Sequence, residues 1–173
     1  MKKNSLIVFL FILFLTVFSF NNIYANTSSK EFVDIKVPAA IVIDYDTGRV
    51  LFEKNANDKR AMASLTKIMT SILLVENCEM DEMIEVPSQA TWIGGSTVGL
   101  KKGDKVSAKS LLYGMLLPSG NDCAYTVGIH IGSTIENFAN MMNKKAKEIG
   151  VTNTSFANPH GLDSKTHYTS AKD

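Results

Sequence analysis

Ser64-Leu65-Thr66-Lys67, at the head of a nearly all-apolar run ending at Val75, constrains this chain more than any other segment. Leu65, Ile68, Met69, Ile72 and Leu73 recur at i, i+3, i+4, i+7 and i+8, the spacing of one helix face. Leu74 and Val75 carry the apolar character round to the other side, and a helix apolar on most faces is expected to be buried. Serine is a good N-cap, so the bare pattern allows an ordinary helix start with Lys67 on a solvated face. Two physical features argue against that. A lysine in a first turn opposes a helix dipole whose N-terminus is already positive. A lysine on an apolar helix is also partly desolvated, and both effects favour the neutral amine. A neutral amine one helical turn from a hydroxyl can take its proton, and the helix N-terminus would favour an oxyanion forming at Ser64.

Around this helix the chain reads as α+β. Ala39 to Tyr45 and Arg49 to Glu53 are two short strand patterns separated by the turn signal Asp46-Thr47-Gly48, a hairpin. Trp92 to Val106, with Gly94, Gly95, Gly99 and Gly103, reads as loop and short strand. Leu111 to Leu117 is a short helix stopped by Pro118, and a further helix runs from about Asp122 to His130. Ser133 and Glu136 have capping-box spacing for a helix burying Ile135, Phe138, Ala139, Met142 and Ile149 and ending at Gly150. Ser170 and Asp173 repeat that spacing at the last residue, so a helix is expected to begin there and the domain to continue past it. A lone hairpin, marginal without further strands or helix packing, points the same way.

The first 25 residues are set apart. Lys2 and Lys3 precede an apolar run from Leu6 to Val17, and Ile23-Tyr24-Ala25 offers a small residue for cleavage. That is the layout of a secretory signal peptide, and the run is shorter than the roughly 20 residues a membrane span needs. The expected organisation is a signal peptide over 1–25, a linker over 26–36 and the domain over 37–173. The product would be exported to the outer face of the membrane or the wall, with membrane contact only through the signal segment. A net charge of +1, or 16 basic against 17 acidic residues once Lys2 and Lys3 are removed, steers no partner and excludes a nucleic-acid binder. Export permits a disulfide, but Cys78 lies some 21 Å along the helix from Ser64, whereas Cys123 lies four residues beyond Ser119. Two free, buried thiols are expected. No Cys/His spacing resembles a metal site, so neither metal nor cofactor is expected.

Ser119-Gly120-Asn121 suits a turn and is weak by itself. In this order, however, S-x-x-K followed by S-x-N is the signature of penicillin-binding proteins and serine β-lactamases. The flanks narrow the choice. Ala40-Ile41-Val42-Ile43-Asp44, Thr47 to Leu51, Met62 to Thr70, Gly94-Gly95-Ser96, Leu116 to Asp122, Asn158-Pro159-His160-Gly161-Leu162-Asp163 and His167 to Asp173 together resemble the serine D-alanyl-D-alanine carboxypeptidases. The resemblance runs from about Val37 to the end and matches the N-terminal part of that family's catalytic domain. It implies the β-lactamase/penicillin-binding-protein transpeptidase-like fold, here incomplete: hairpin and helical region present, later sheet strands missing. It implies Ser64 as acylated nucleophile, Lys67 as general base, Ser119 as proton relay and Asn121 as a substrate contact. The substrate implied is the peptidoglycan stem peptide ending in D-Ala-D-Ala, cleaved during cell-wall biogenesis, with β-lactams acylating the same serine as inhibitors.

The family's third motif, Lys-Thr-Gly, does not occur; Lys165-Thr166-His167 puts histidine where its glycine should stand and is a chance match. In the family that strand binds the substrate carboxylate and supplies an oxyanion donor. Losing one such donor costs roughly 3–4 kcal/mol in comparable acyl-transfer sites, so these residues by themselves are expected to be inactive. Two alternatives compete. A class A β-lactamase needs a glutamate-activated water for deacylation, and Val151 to Ser170 holds no glutamate. A non-catalytic penicillin-binding fragment is opposed by the intact Ser64, Lys67, Ser119 and Asn121. His130 is expected to be structural, and the resemblance gives His160 and His167 a loop-shaping role only.

Overall fold

The computed structural model describes residues 35–173, and the signal-peptide and linker readings fall almost wholly outside them. The first elements are strands β1 (Ala40–Ile43) and β2 (Val50–Lys54), paired antiparallel with a register break between Val42 and Ile43. Asp44 makes their turn by accepting the Thr47 amide at 2.9 Å on Oδ1. A single 3-10 turn (Ala63–Leu65) then runs into α1 (Thr66–Asn77).

A second antiparallel pair, β3 (Met83–Glu85) with β4 (Lys105–Ser107), flanks the glycine-rich loop. β3 is three residues long, too short to show a period in the sequence. Three helices follow: α2 (Ala108–Leu116), α3 (Asn121–Gly132) and α4 (Ile135–Glu148). α2 begins three residues earlier than its apolar run suggests, because Ser107 Oγ caps it by accepting the Ser110 amide at 3.2 Å. The start of α4 corrects the expected capping box. Ser133, at φ +61, closes α3 in the left-handed region, and Thr134 caps α4 by accepting the Asn137 amide. Ser170 Oγ does accept the Asp173 amide at 3.2 Å, but the Asp173 carboxylate turns to Asn153 and Thr154.

The core lies among the four helices and β3, where Leu73, Leu74, Ile84, Leu111, Met115, Val127, Phe138 and Met142 meet. α4 buries Phe138, Ala139, Met142 and Ala146, whereas Ile149 is exposed. The buried stripe of α1 is not the one its apolar spacing marks. Thr66, Lys67, Met69, Thr70, Ser71, Leu73 and Leu74 face inward, whereas Leu65, Ile68, Ile72 and Val75 are exposed. Thr66, Lys67 and Thr70 reach hydrogen-bond partners on the Pro159–His167 stretch and on Asn121, which removes the penalty for burying them, whereas the Ser71 hydroxyl is buried without a partner among the described residues. That stretch is tied to the body by paired amides and carbonyls between Arg60 and Thr169 and between Ser155 and Tyr168.

Candidate active site

The geometry begins with strain. Ala63, just before the 3-10 turn's serine, has φ +47, and Ser119 has φ +63. Such backbone is costly for residues with a Cβ and persists only where the surroundings enforce it. At Ala63 the enforcement is visible: Thr66 Oγ1 donates to Ala63 O at 2.7 Å, and Gly161 packs against the same carbonyl. A Cβ on Gly161, itself at φ +94, would lie 2.0 Å from Ala63 O. Only glycine permits this approach. The result lifts Ser64 out of an N-cap role. Ser64 is exposed and makes no side-chain cap, and its Oγ faces Lys67 and Ser119.

Lys67 is 2% exposed and its Nζ has three neighbours: Asn121 Oδ1 at 2.7 Å, His160 O at 2.8 Å and Ser64 Oγ at 3.2 Å. Burial pushes its amine below the ordinary lysine range. The first two neighbours can only accept. The orientation of the Asn121 amide is set by Nδ2, which donates to Gly94 O at 2.7 Å. An ammonium would donate to all three; a neutral amine that donates to Asn121 and His160 would turn its lone pair to Ser64 Oγ. In that neutral state the amine can accept a proton from Ser64.

Ser119 Oγ donates to Ser64 Oγ at 2.8 Å, so its link to Lys67 runs through Ser64. Asn121, first residue of α3 and 5% exposed, bridges Lys67 to the glycine-rich loop, and its own amide donates to Ser96 O at 2.7 Å. A Cβ on Gly95 would meet Asn121 Nδ2 at 2.7 Å, which is why this loop needs glycine. All four residues expected from the sequence, Ser64, Lys67, Ser119 and Asn121, meet here.

Other participants were not legible beforehand. Buried Asp122 accepts the amides of Val98, Gly99, Leu100 and Cys123 at 3.0–3.1 Å and pins the loop that faces Asn121. His160 contributes its main-chain oxygen, and its ring is pushed down to about 4, chiefly by burial and then by Lys67. His167 Nδ1 accepts the Ala157 amide at 3.0 Å, so the proton is on Nε2, which reaches Thr66 Oγ1 at 2.7 Å. Its ring braces the turn carrying Ser64. The Asn158-to-Asp163 match pointed at this region, but a carbonyl's role carries no residue-type signal. Cys123 is buried beside the site with its thiol pushed up to about 12, by burial and Asp122, and Cys78 is only half-buried; neither forms a disulfide.

A reachable serine, a buried lysine within hydrogen-bond distance of it and a second hydroxyl on the serine are the arrangement of a serine–lysine acyl-transfer site. Comparison with known proteins gives that class its place. Residues 25–173 match the family model for peptidase S11, described as D-alanyl-D-alanine carboxypeptidase. The chain is 41% identical over 140 residues to D-alanyl-D-alanine carboxypeptidase DacF of Bacillus subtilis, covering 78% of this chain and 36% of DacF. It is 35% identical to DacC of Escherichia coli, covering 87% of this chain and 40% of DacC. The crystal structure of the D-alanyl-D-alanine carboxypeptidase DacD from Francisella tularensis superposes with a TM-score of 0.77 at 43% identity, covering 81% of this chain and 35% of that one. The chain belongs to the D-alanyl-D-alanine carboxypeptidase family, peptidase S11, with the penicillin-binding-protein fold, and spans well under two thirds of the length of these relatives.

Proposed function

We propose that this chain supplies the acylating half of a serine D-alanyl-D-alanine carboxypeptidase acting on peptidoglycan stem peptides outside the cytoplasmic membrane. The observation that carries the reading is the placement of Lys67: its buried Nζ lies 3.2 Å from Ser64 Oγ and beside two oxygens that only accept, so a neutral amine there would turn its lone pair to Ser64. Ser64 Oγ attacks the carbonyl carbon of the D-Ala–D-Ala bond as Lys67 Nζ takes its proton. Ser119, whose Oγ stands 2.8 Å from Ser64 Oγ, gives its own proton to the departing D-alanine nitrogen and is reprotonated by Lys67. Water then cleaves the ester and frees Ser64. A β-lactam carbonyl enters the same first step and stays longer as the acyl-enzyme. Export rests on the basic start and apolar run of residues 1–25, and N-terminal sequencing of the secreted protein should begin near Asn26.

The 173 residues contain no Lys-Thr-Gly, so acylation by this stretch alone should be slow. The test is prolonged incubation with benzylpenicillin followed by peptide mass spectrometry. An adduct on the Ser64 peptide that is lost in Ser64→Ala supports the reading. A folded chain that never gains the adduct, or one that gains it equally in Ser64→Ala, rejects it.

A further inference from the structure

The two helices that hold the site also share a far end. α1 carries Lys67 and α3 carries Asn121 in their first turns, and the two helices pack together. At the opposite ends, Cys78 caps α1 and His130 lies in the last turn of α3. Glu82, on the approach to β3, stands with them, its Oε1 2.8 Å from His130 Nε2. The Cys78 sulfur, a Glu82 carboxylate oxygen and a His130 ring nitrogen all lie within 4.8 Å of one another.

Those three donors have the makings of a cation site. Bonds of about 2.3 Å to sulfur and about 2.0–2.2 Å to nitrogen and oxygen place the donors of a tetrahedral zinc roughly 3.3–3.6 Å apart. The observed spread is about an ångström wider at its extreme, within reach of small rotations of three side chains that are half-buried or exposed. One sulfur, one imidazole and one carboxylate form a borderline-soft set that suits zinc, whereas calcium and magnesium take all-oxygen shells. The backbone contributes separately. The negative ends of two helix dipoles converge on the cluster. α1 has no basic side chain in its last turn, and the basic group in that of α3 is His130 itself.

We propose that Cys78, Glu82 and His130 bind one Zn²⁺ with water in the fourth position, clamping the distal ends of the two helices that carry Lys67 and Asn121. Binding changes no oxidation state: the thiol proton passes to solvent, sulfur ligates as thiolate, and the neutral imidazole and carboxylate donate lone pairs. Sequence spacing hides such a site, because Cys78 and Glu82 lie four apart but His130 follows far downstream. The site is independent of acyl transfer, so its test needs no activity.

The experiment is titration of the untagged, chelator-stripped chain with Co²⁺ alone, read by absorption, then displacement by Zn²⁺. One ion per chain is expected, with a thiolate-to-cobalt charge-transfer band and the strong visible bands of four-coordinate cobalt. Cys78→Ser should lose the charge-transfer band. Glu82→Gln and His130→Gln should weaken Zn²⁺ binding by at least roughly tenfold, the loss that even outer-shell partners cost a metal site. Glu79→Gln, an exposed neighbour, should bind like the parent. Zn²⁺ should raise the thermal midpoint of the parent but not of Cys78→Ser. Absence of the charge-transfer band in a chain with native far-UV circular dichroism overturns the proposal and leaves a hydrogen-bonded triad. Equal Zn²⁺ affinity in folded Glu82→Gln and His130→Gln also overturns it.

Discussion

The inward and outward faces of α1 reverse the usual assignment of polar and apolar residues. Inward, Thr66, Lys67 and Thr70 are buried beside Leu73 and Leu74. Outward, Leu65, Ile68, Ile72 and Val75 are exposed, and the last three line a groove of about 520 Å³ with Leu112 and Leu116. The polar face can be buried because its groups are paired: Thr66 with Ala63 and His167, Lys67 with Asn121 and His160, Thr70 with Pro159 O at 2.6 Å. A satisfied polar group costs little to bury, whereas an unsatisfied one costs its full desolvation. The difference teaches that the chemistry of this helix is on its packed face, and that its most apolar stripe contributes little to the stability of these residues.

The largest break in this contrast should come from Lys67→Met. It removes the proposed base and orphans two buried acceptors, so β-lactam acylation of Ser64 should slow by roughly 10²–10⁴-fold, the usual contribution of a general base, as read by the rate of adduct formation. An unchanged rate would remove Lys67 from the chemistry. Next, Leu74→Ala, at a fully buried position, should cost about 2–5 kcal/mol in urea unfolding.

A third effect tests the loop that the inner face holds. Burial keeps the His160 ring at about 4 rather than the ordinary 6.5. The unfolded chain therefore takes up the proton first as pH falls. Stability is intact above pH 6.5 and declines toward pH 4, by as much as roughly 3 kcal/mol. His160→Gln should flatten the thermal midpoint across that window, with His167, also lowered by burial, leaving a residual slope. An identical slope in both proteins would show that His160 is not buried in solution. The smallest effect belongs to the outer face: Ile68→Ala, at a position 55% exposed, should change unfolding free energy by no more than about 0.5 kcal/mol. A loss matching Leu74→Ala would mean that something covers this face.

Much of this site could be read in advance because its chemistry depends on residue types at short spacings. Ser64 and Lys67 are one turn apart on one helix, and Ser119 and Asn121 flank one glycine. The hairpin and four helices were legible from local patterns and turn residues. The failures have one cause. Apolar periodicity places Leu65, Ile68 and Ile72 inside, but which side of α1 is buried depends on partners about 90 residues away in sequence, such as Pro159 and His160. Ser133 looks like a cap to a pattern search, yet the junction of two helices put it in the left-handed region and passed the cap to Thr134.

The sequence by itself picked out Ser64, Lys67, Ser119 and Asn121 as one candidate site, together with the family, because each is a matter of side-chain chemistry at fixed local spacing. Tertiary structure alone decided what holds them together. It set the carbonyl of His160 that accepts an N–H of Lys67, the Thr66–His167 brace beneath Ala63, and the three amides, of Val98, Gly99 and Leu100, by which Asp122 pins the loop. Backbone oxygens and amides are present at every residue, so only the packed chain selects which of them meet a buried amine or carboxylate.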